Sequence, residues 1–127
     1  MEEISSNEAC DCQAVMLDED TKDLRAVTYN YARKERVFYD KELESDFQRL
    51  KELGPVNAEV SIASQTRDET LWIVVYSRSD GPSEYRLYDQ VKKETTPLFV
   101  TKPDLLEYKL APMEDVVITA RDGLQFV

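Results

Sequence analysis

The sequence predicts a mainly β protein with one helix, built from antiparallel meanders. Three observations carry that reading. From Leu71 to Val100 the chain runs Leu-Trp-Ile-Val-Val-Tyr-Ser, turns, runs Glu-Tyr-Arg-Leu-Tyr-Asp, turns again, and runs Thr-Thr-Pro-Leu-Phe-Val. Such β-branched and aromatic runs pack well on a pleated surface. Leu24 to Tyr31 alternates, with Leu24, Ala26 and Thr28 on one face and Arg25, Val27 and Tyr29 on the other, the period of a strand. Lys41 to Leu53 is the one stretch with a helical period: Leu43, Phe47, Leu50 and Leu53 form a single apolar stripe.

Taken in order, residues 1–12 read as a loose, acidic N-terminus. Residues 13–40 read as a partial meander: a short strand from Gln13 to Leu17, a charged turn from Asp18 to Asp23, the alternating strand, a turn at Arg33-Lys34-Glu35 and a strand from Arg36 to Tyr39. Asp40 can cap the free amides of the helix, placed at 41–54. Gly54-Pro55 stops it, since glycine suits a left-handed C′ position and proline cannot continue a helix. Residues 58–100 read as the main meander, starting with a strand from Ala58 to Ser64. Leu71 to Tyr76 is apolar without alternation, so both of its faces should be covered. Ser79-Asp80-Gly81-Pro82 reverses the chain, with Gly81 free to take a positive φ. Pro97 belongs at a strand edge or bulge, because it cannot donate to a ladder. Residues 101–127 read as a connector that packs down through Leu105, Leu106, Tyr108 and Leu110, then a strand at Val116–Ala120, a turn at Arg121-Asp122-Gly123, and the beginning of another strand at Leu124–Val127.

The length of 127 residues fits one domain. The net charge of −10 is concentrated: residues 1–23 carry eight acids against Lys22, or −7. An acidic surface repels phosphate backbones and anionic lipid, so nucleic acid and membrane partners are not expected. Met1-Glu2-Glu3-Ile4 lacks the basic start and apolar run of a signal peptide, which points to a cytoplasmic protein or a piece of a longer chain.

The chain contains no histidine. Ser-His-Asp and Cys-His catalysis therefore have no base within it, and histidine-based zinc sites have no ligands. Cys10 and Cys12 stand too close in sequence for an unstrained disulfide and make half a zinc site at most, so they read as free thiols. Asp18 and Asp20 begin like a calcium loop, but Asp23 and Tyr29 occupy the positions that need glycine and glutamate. No cofactor or metal is expected. The many carboxylates could support acid–base chemistry, but none sits in a motif. Gly81-Pro82-Ser83-Glu84-Tyr85 departs from the Gly-x-Ser-x-Gly nucleophile elbow, so no catalytic residue is assigned.

The sequence repeats itself. Val27-Thr28-Tyr29 matches Val74-Val75-Tyr76 at an offset of 47, and Tyr39-Asp40 matches Tyr88-Asp89 at an offset of 49. Several antiparallel strands with a period in the high forties are what a β-propeller blade looks like; about two blades cannot close a propeller. Three segments then resemble prolyl oligopeptidase family serine peptidases of the acylaminoacyl- and dipeptidyl-peptidase-like branch. Trp72-Ile73-Val74-Val75-Tyr76-Ser77 with Asp80-Gly81-Pro82, Tyr85-Arg86-Leu87-Tyr88-Asp89 and Leu98-Phe99 is similar to the last propeller blade. Pro103-Asp104-Leu105 and Leu110-Ala111-Pro112-Met113 resemble the link out of it. Val116 to Leu124 resembles the first strand of the α/β-hydrolase domain. Family blades often carry glycine in the second hairpin, where this chain has Lys92-Lys93.

The resemblance implies a non-catalytic, propeller-derived piece that scaffolds and gates a parent serine peptidase. The alternative is a free-standing acidic interaction domain that self-associates through β-edges. The partners expected are a second copy or a hydrolase domain. The candidate interaction surface is the helix stripe with the strand edges: Leu43, Phe47, Leu50, Trp72, Val117, Leu124 and Phe126.

Overall fold

A computed structural model describes residues 4–127. The N-terminal start Met1–Glu3, with Glu2 and Glu3 of the acidic arm, lies outside the described residues. The elements run β1 (Cys12–Leu17), β2 (Leu24–Asn30), β3 (Lys34–Phe38), α1 (Lys41–Leu53), β4 (Glu59–Gln65), β5 (Leu71–Ser77), β6 (Glu84–Asp89), β7 (Glu94–Val100), a short 3-10 turn (Pro103–Glu107), β8 (Ile118–Thr119) and β9 (Gln125–Phe126). They form antiparallel sheets of three, four and two strands, in the orders β1-β2-β3, β4-β5-β6-β7 and β8-β9. The chain is mainly β with one helix, as the alternation and the single helical stripe require, and the sheets close no propeller. Length alone points to one domain; the chain gathers into two compact units, Met1–Leu43 with Glu114–Val127, and Glu44–Met113. Among the described residues no helix is long and apolar enough to cross a membrane.

In the first unit β2 is the central strand, paired with β1 through Val15↔Val27 and with β3 through Val27↔Val37. Ala26, Val27, Thr28 and Tyr29 are all buried, so both faces of this strand are covered along those four residues. The third strand starts at Lys34, earlier than the charged run suggested, because Asn30 pairs with Lys34 and the reversal is compressed into Tyr31–Arg33. Asp40 caps α1 as expected: Oδ1 accepts the N–H groups of Glu42 and Leu43 at 2.9 and 3.1 Å. Its other oxygen takes the Arg25 Nε–H at 2.8 Å. Partial burial works against the Asp40 charge, but the Leu43 amide and the Arg25 guanidinium outweigh it and hold its pKa below the usual range.

In the second unit α1 lies on one face of the β4–β7 sheet. Tyr76 Oη donates to the Leu50 carbonyl at 2.7 Å and Arg86 Nη1 to the Leu53 carbonyl at 2.8 Å. The last carbonyls of a helix have no partner inside it, and here the sheet supplies their donors. Burial raises the Tyr76 pKa, so the phenol stays protonated to donate. Arg86 also stacks over the Tyr76 ring, 4.9 Å from its centre. Trp72 and Tyr88 sit on the same face with ring centres 5.4 Å apart. On β5, Trp72, Val74 and Tyr76 are buried on one face; on the other Val75 is buried, Leu71 and Ile73 are half-buried and Ser77 is exposed, so the second face is covered only in part, less than the unbroken apolar run suggests.

Three details differ from the sequence reading. Gly54 does not take a left-handed conformation; a Cβ there would stand 2.1 Å from Tyr76 Cε1, so the position needs glycine for a close approach. Gly81 has no positive φ either. The second hairpin does use one, at Lys93 with φ 57°, the conformation that favours glycine. The connector does not pack down as a whole: Leu106 and Tyr108 are 64% and 65% exposed. A one-turn 3-10 helix followed by extended chain gives its apolar residues no common face. Pro97 behaves as expected, on the edge strand β7 beside a bulge.

Candidate functional site

The expected interaction surface divides in two. Leu43, Phe47, Leu50 and Trp72 are at most 2% exposed. They are core residues, and burying each stabilises the fold by roughly 1.5–3 kcal/mol. Unlike the exposed side chains expected of a docking surface, these four are enclosed within the chain. Trp72 is further fixed by its Nε1–H, which donates to the Glu69 carbonyl at 2.6 Å. Val117, Leu124 and Phe126 remain about half exposed or more, at 48%, 66% and 47%.

Those three belong to a hairpin whose apolar side chains are nearly all open to solvent. Ile118 pairs with Phe126 and Thr119 with Gln125, and Gly123 takes φ 88° in the turn between. The last strand therefore has a partner, β8. Val116, Ile118 and Val127 are also at least 49% exposed. Upstream, Arg33 Nε donates to Asp115 Oδ2 at 2.9 Å, which ties the approach to β8 to the β2–β3 turn. No charged residue falls between Val116 and Ala120 or between Leu124 and Val127. Edge strands without charge, proline or cover are open to pairing with another chain.

The sequence reading missed a second constellation. Asp46 lies one position from Phe47 on the buried side of α1 and is only 1% exposed. Tyr88 Oη donates to its Oδ1 at 2.6 Å, Gln90 Nε2 donates to Oδ2 at 3.2 Å, and the Lys93 ammonium also bonds Oδ1. Arg49 Nε donates to the Lys93 carbonyl at 3.2 Å. Burial first, and then the Asp46 carboxylate, drive the Tyr88 pKa far up, so it remains a donor. This cluster clamps the β6–β7 hairpin to the helix and holds Lys93 in its left-handed conformation. An acid three residues from Leu43 and four from Leu50 was the available signal, since a buried carboxylate needs partners.

In the first unit, a cleft of about 270 Å³ is lined by Asn7, Cys10, Tyr29, Tyr31, Arg33 and Glu35. Small-molecule sites occupy roughly 300–1,000 Å³, so the cleft falls below that range. Cys10 and Cys12 are free thiols, half-buried and exposed respectively. Among the described residues no group of three or more Cys, Asp or Glu is placed to hold a metal ion.

The fold and the hairpin define a class: an antiparallel β framework with one helix and a short hairpin whose apolar side chains are exposed. Sequence comparison refines it. The chain is 32% identical over 117 residues to dipeptidyl aminopeptidase BIII of Pseudoxanthomonas mexicana, covering 92% of the chain and 17% of that protein. It is 31% identical over 110 residues to dipeptidyl peptidase family member 6 of Caenorhabditis elegans, covering 87% of the chain and 15% of that protein. No family model matches, and no solved structure matches. Over this segment the chain belongs to a dipeptidyl-peptidase-like family. It spans about one sixth of the length of both relatives.

Proposed function

We propose that this chain serves as a non-catalytic, propeller-derived scaffold within a dipeptidyl-peptidase-like enzyme, where its sheets orient a catalytic module and restrict access to it. The observation that carries this reading is the 117-residue match to a dipeptidyl aminopeptidase, which takes in most of the chain and only 17% of that protein. The residues agree with it. The chain has no histidine and no Gly-x-Ser-x-Gly elbow, and the carboxylates of Asp40, Asp89 and Asp46 serve a helix cap, a turn and the helix clamp. The open apolar hairpin offers a surface for a neighbouring module to cover.

Two measurements test it. The purified chain is expected to leave dipeptidyl p-nitroanilides uncleaved; turnover that copurifies with it through several columns would refute the non-catalytic assignment. The source transcript, read past the codon for Val127, is expected to continue in frame through a Gly-x-Ser-x-Gly and a later histidine. A stop codon in a well-covered transcript removes the parent enzyme and with it the scaffold role.

A further inference from the structure

We infer that residues 4–10 form a strap that opens and closes over the cleft beside β2, held shut by the hydroxyls of Tyr29 and Tyr39, and that its opening frees the Cys10 thiol for exchange with disulfides. The contacts that define the strap lie inside the first unit, so the inference does not rest on the scaffold role. The sequence reads this stretch as a loose arm; the structure lays it against the first sheet. Tyr29 Oη donates to Ser5 Oγ at 2.7 Å, and Tyr39 Oη donates to the Ile4 carbonyl at 3.2 Å. Further along, Asn7, Ala9 and Cys10 form one wall of the cleft of about 270 Å³, and Tyr29, Tyr31 and Arg33 stand on the other.

What holds the strap is weak beside what holds the sheet. Residues 4–11 belong to no helix or strand, none of residues 4–10 is buried, and Ile4 is 69% exposed. Lifting the segment therefore breaks side-chain hydrogen bonds and leaves the strand ladders and the core intact, which is the character of a local opening. The facing wall stays in place: Tyr29 is buried on a strand paired on both sides, and Arg33 Nε is held by Asp115 Oδ2 at 2.9 Å. Within the strap, Asn7 Oδ1 accepts the Ala9 N–H at 2.8 Å, so residues 7–9 keep their shape as the segment moves. The hinge falls at Asp11, between the bend at 8–10 and the first ladder pair, Cys12↔Tyr29. Cys10 lies on the strap side of that hinge and is half-buried, whereas Cys12 is exposed and already in β1. Opening changes the surroundings of the first thiol and leaves the second as it was.

Labelling of the full chain with dithiobis-nitrobenzoate reads the motion. The cysteine thiolate attacks the reagent's disulfide, the S–S bond breaks, and nitrothiobenzoate leaves. In Cys12→Ser protein, Cys10 is expected to react several-fold more slowly than in the urea-unfolded chain; in Cys10→Ser protein, Cys12 is expected to react at close to its unfolded rate. Losing one hydrogen bond raises the open population about fivefold, so Tyr29→Phe is expected to speed Cys10 by about that factor and leave Cys12 unchanged. Tyr39→Phe, whose bond is exposed, is expected to speed it by less. Ser5→Ala removes the same bond as Tyr29→Phe, so the two together are expected to speed Cys10 no more than either alone. A Cys10 that reacts as fast folded as unfolded overturns the inference, because the strap is then not closed. Labelling that keeps pace with loss of the sheets in urea, followed by circular dichroism, overturns it as well, because the strap then does not open by itself. So does a Cys10 rate that Tyr29→Phe, Ser5→Ala and Tyr39→Phe all leave unmoved, because the hydroxyls then do not hold it.

Discussion

Replacing Gly54 by alanine tests the tightest contact in the second unit. The added Cβ would stand 2.1 Å from Tyr76 Cε1 and 2.5 Å from Cδ1, far inside van der Waals contact. The ring cannot simply step aside: Tyr76 is fully buried, its hydroxyl is bonded to the Leu50 carbonyl at 2.7 Å, and Arg86 covers its face. Forcing one carbon into such a site costs about 1–3 kcal/mol. Displacing the phenol also endangers a hydrogen bond worth roughly 1 kcal/mol. Against this, alanine reduces the freedom of the unfolded chain and recovers about 0.4–1 kcal/mol. The net expectation for Gly54→Ala is a loss of about 1–3.5 kcal/mol. Urea unfolding followed by fluorescence of Trp72, the single tryptophan, measures it. In a Tyr76→Leu background the same substitution should cost much less, because the obstructing ring is gone. A Gly54→Ala protein as stable as the parent, or a cost unchanged by Tyr76→Leu, would show that the glycine is not held by this contact.

Three further outcomes follow from the same geometry. Lys93→Gly should be more stable than Lys93→Ala by about 1 kcal/mol in denaturant unfolding, because both lose the Asp46 bond and only alanine keeps the left-handed penalty at φ 57°. Tyr88→Phe removes one donor from a carboxylate that is 1% exposed and should cost about 1–3 kcal/mol; a neutral result would mean that Gln90 and Lys93 suffice. Asp40→Ala should cost about 1 kcal/mol through the lost helix cap. Because the folded pKa of Asp40 lies below its unfolded value, its contribution is present above that unfolded pKa, about 4, and is lost as pH falls through the folded pKa. Acid titration should therefore unfold the parent with a contribution that the Asp40→Ala protein lacks, and identical acid profiles would contradict the pairing with Arg25.

The two relatives turn a partial blade reading into a family assignment, yet the residues of greatest structural consequence are not those that carry the resemblance. Phe47 and Trp72 looked like surface candidates because an apolar stripe reads the same whether it faces a partner or its own sheet. Val117, Leu124 and Phe126 kept their exposure, and with it their place in the candidate site.

The sequence by itself determined the elements. Alternation marked β2, the unbroken run from Leu71 marked β5, and Asp40 with Gly54-Pro55 bounded α1 at Lys41–Leu53. Pro97 marked an edge. Each is a local rule, decided by the backbone preferences and spacing of residues a few positions apart. Only the tertiary structure decided which distant groups meet. Gly54 is required because Tyr76 arrives 22 positions later, and Asp46 can be buried because Tyr88, Gln90 and Lys93 supply donors from 42 to 47 positions away. A periodic pattern fixes which face of a strand or helix is apolar. Which neighbour fills that face, and which polar group it must satisfy, depends on how the elements pack.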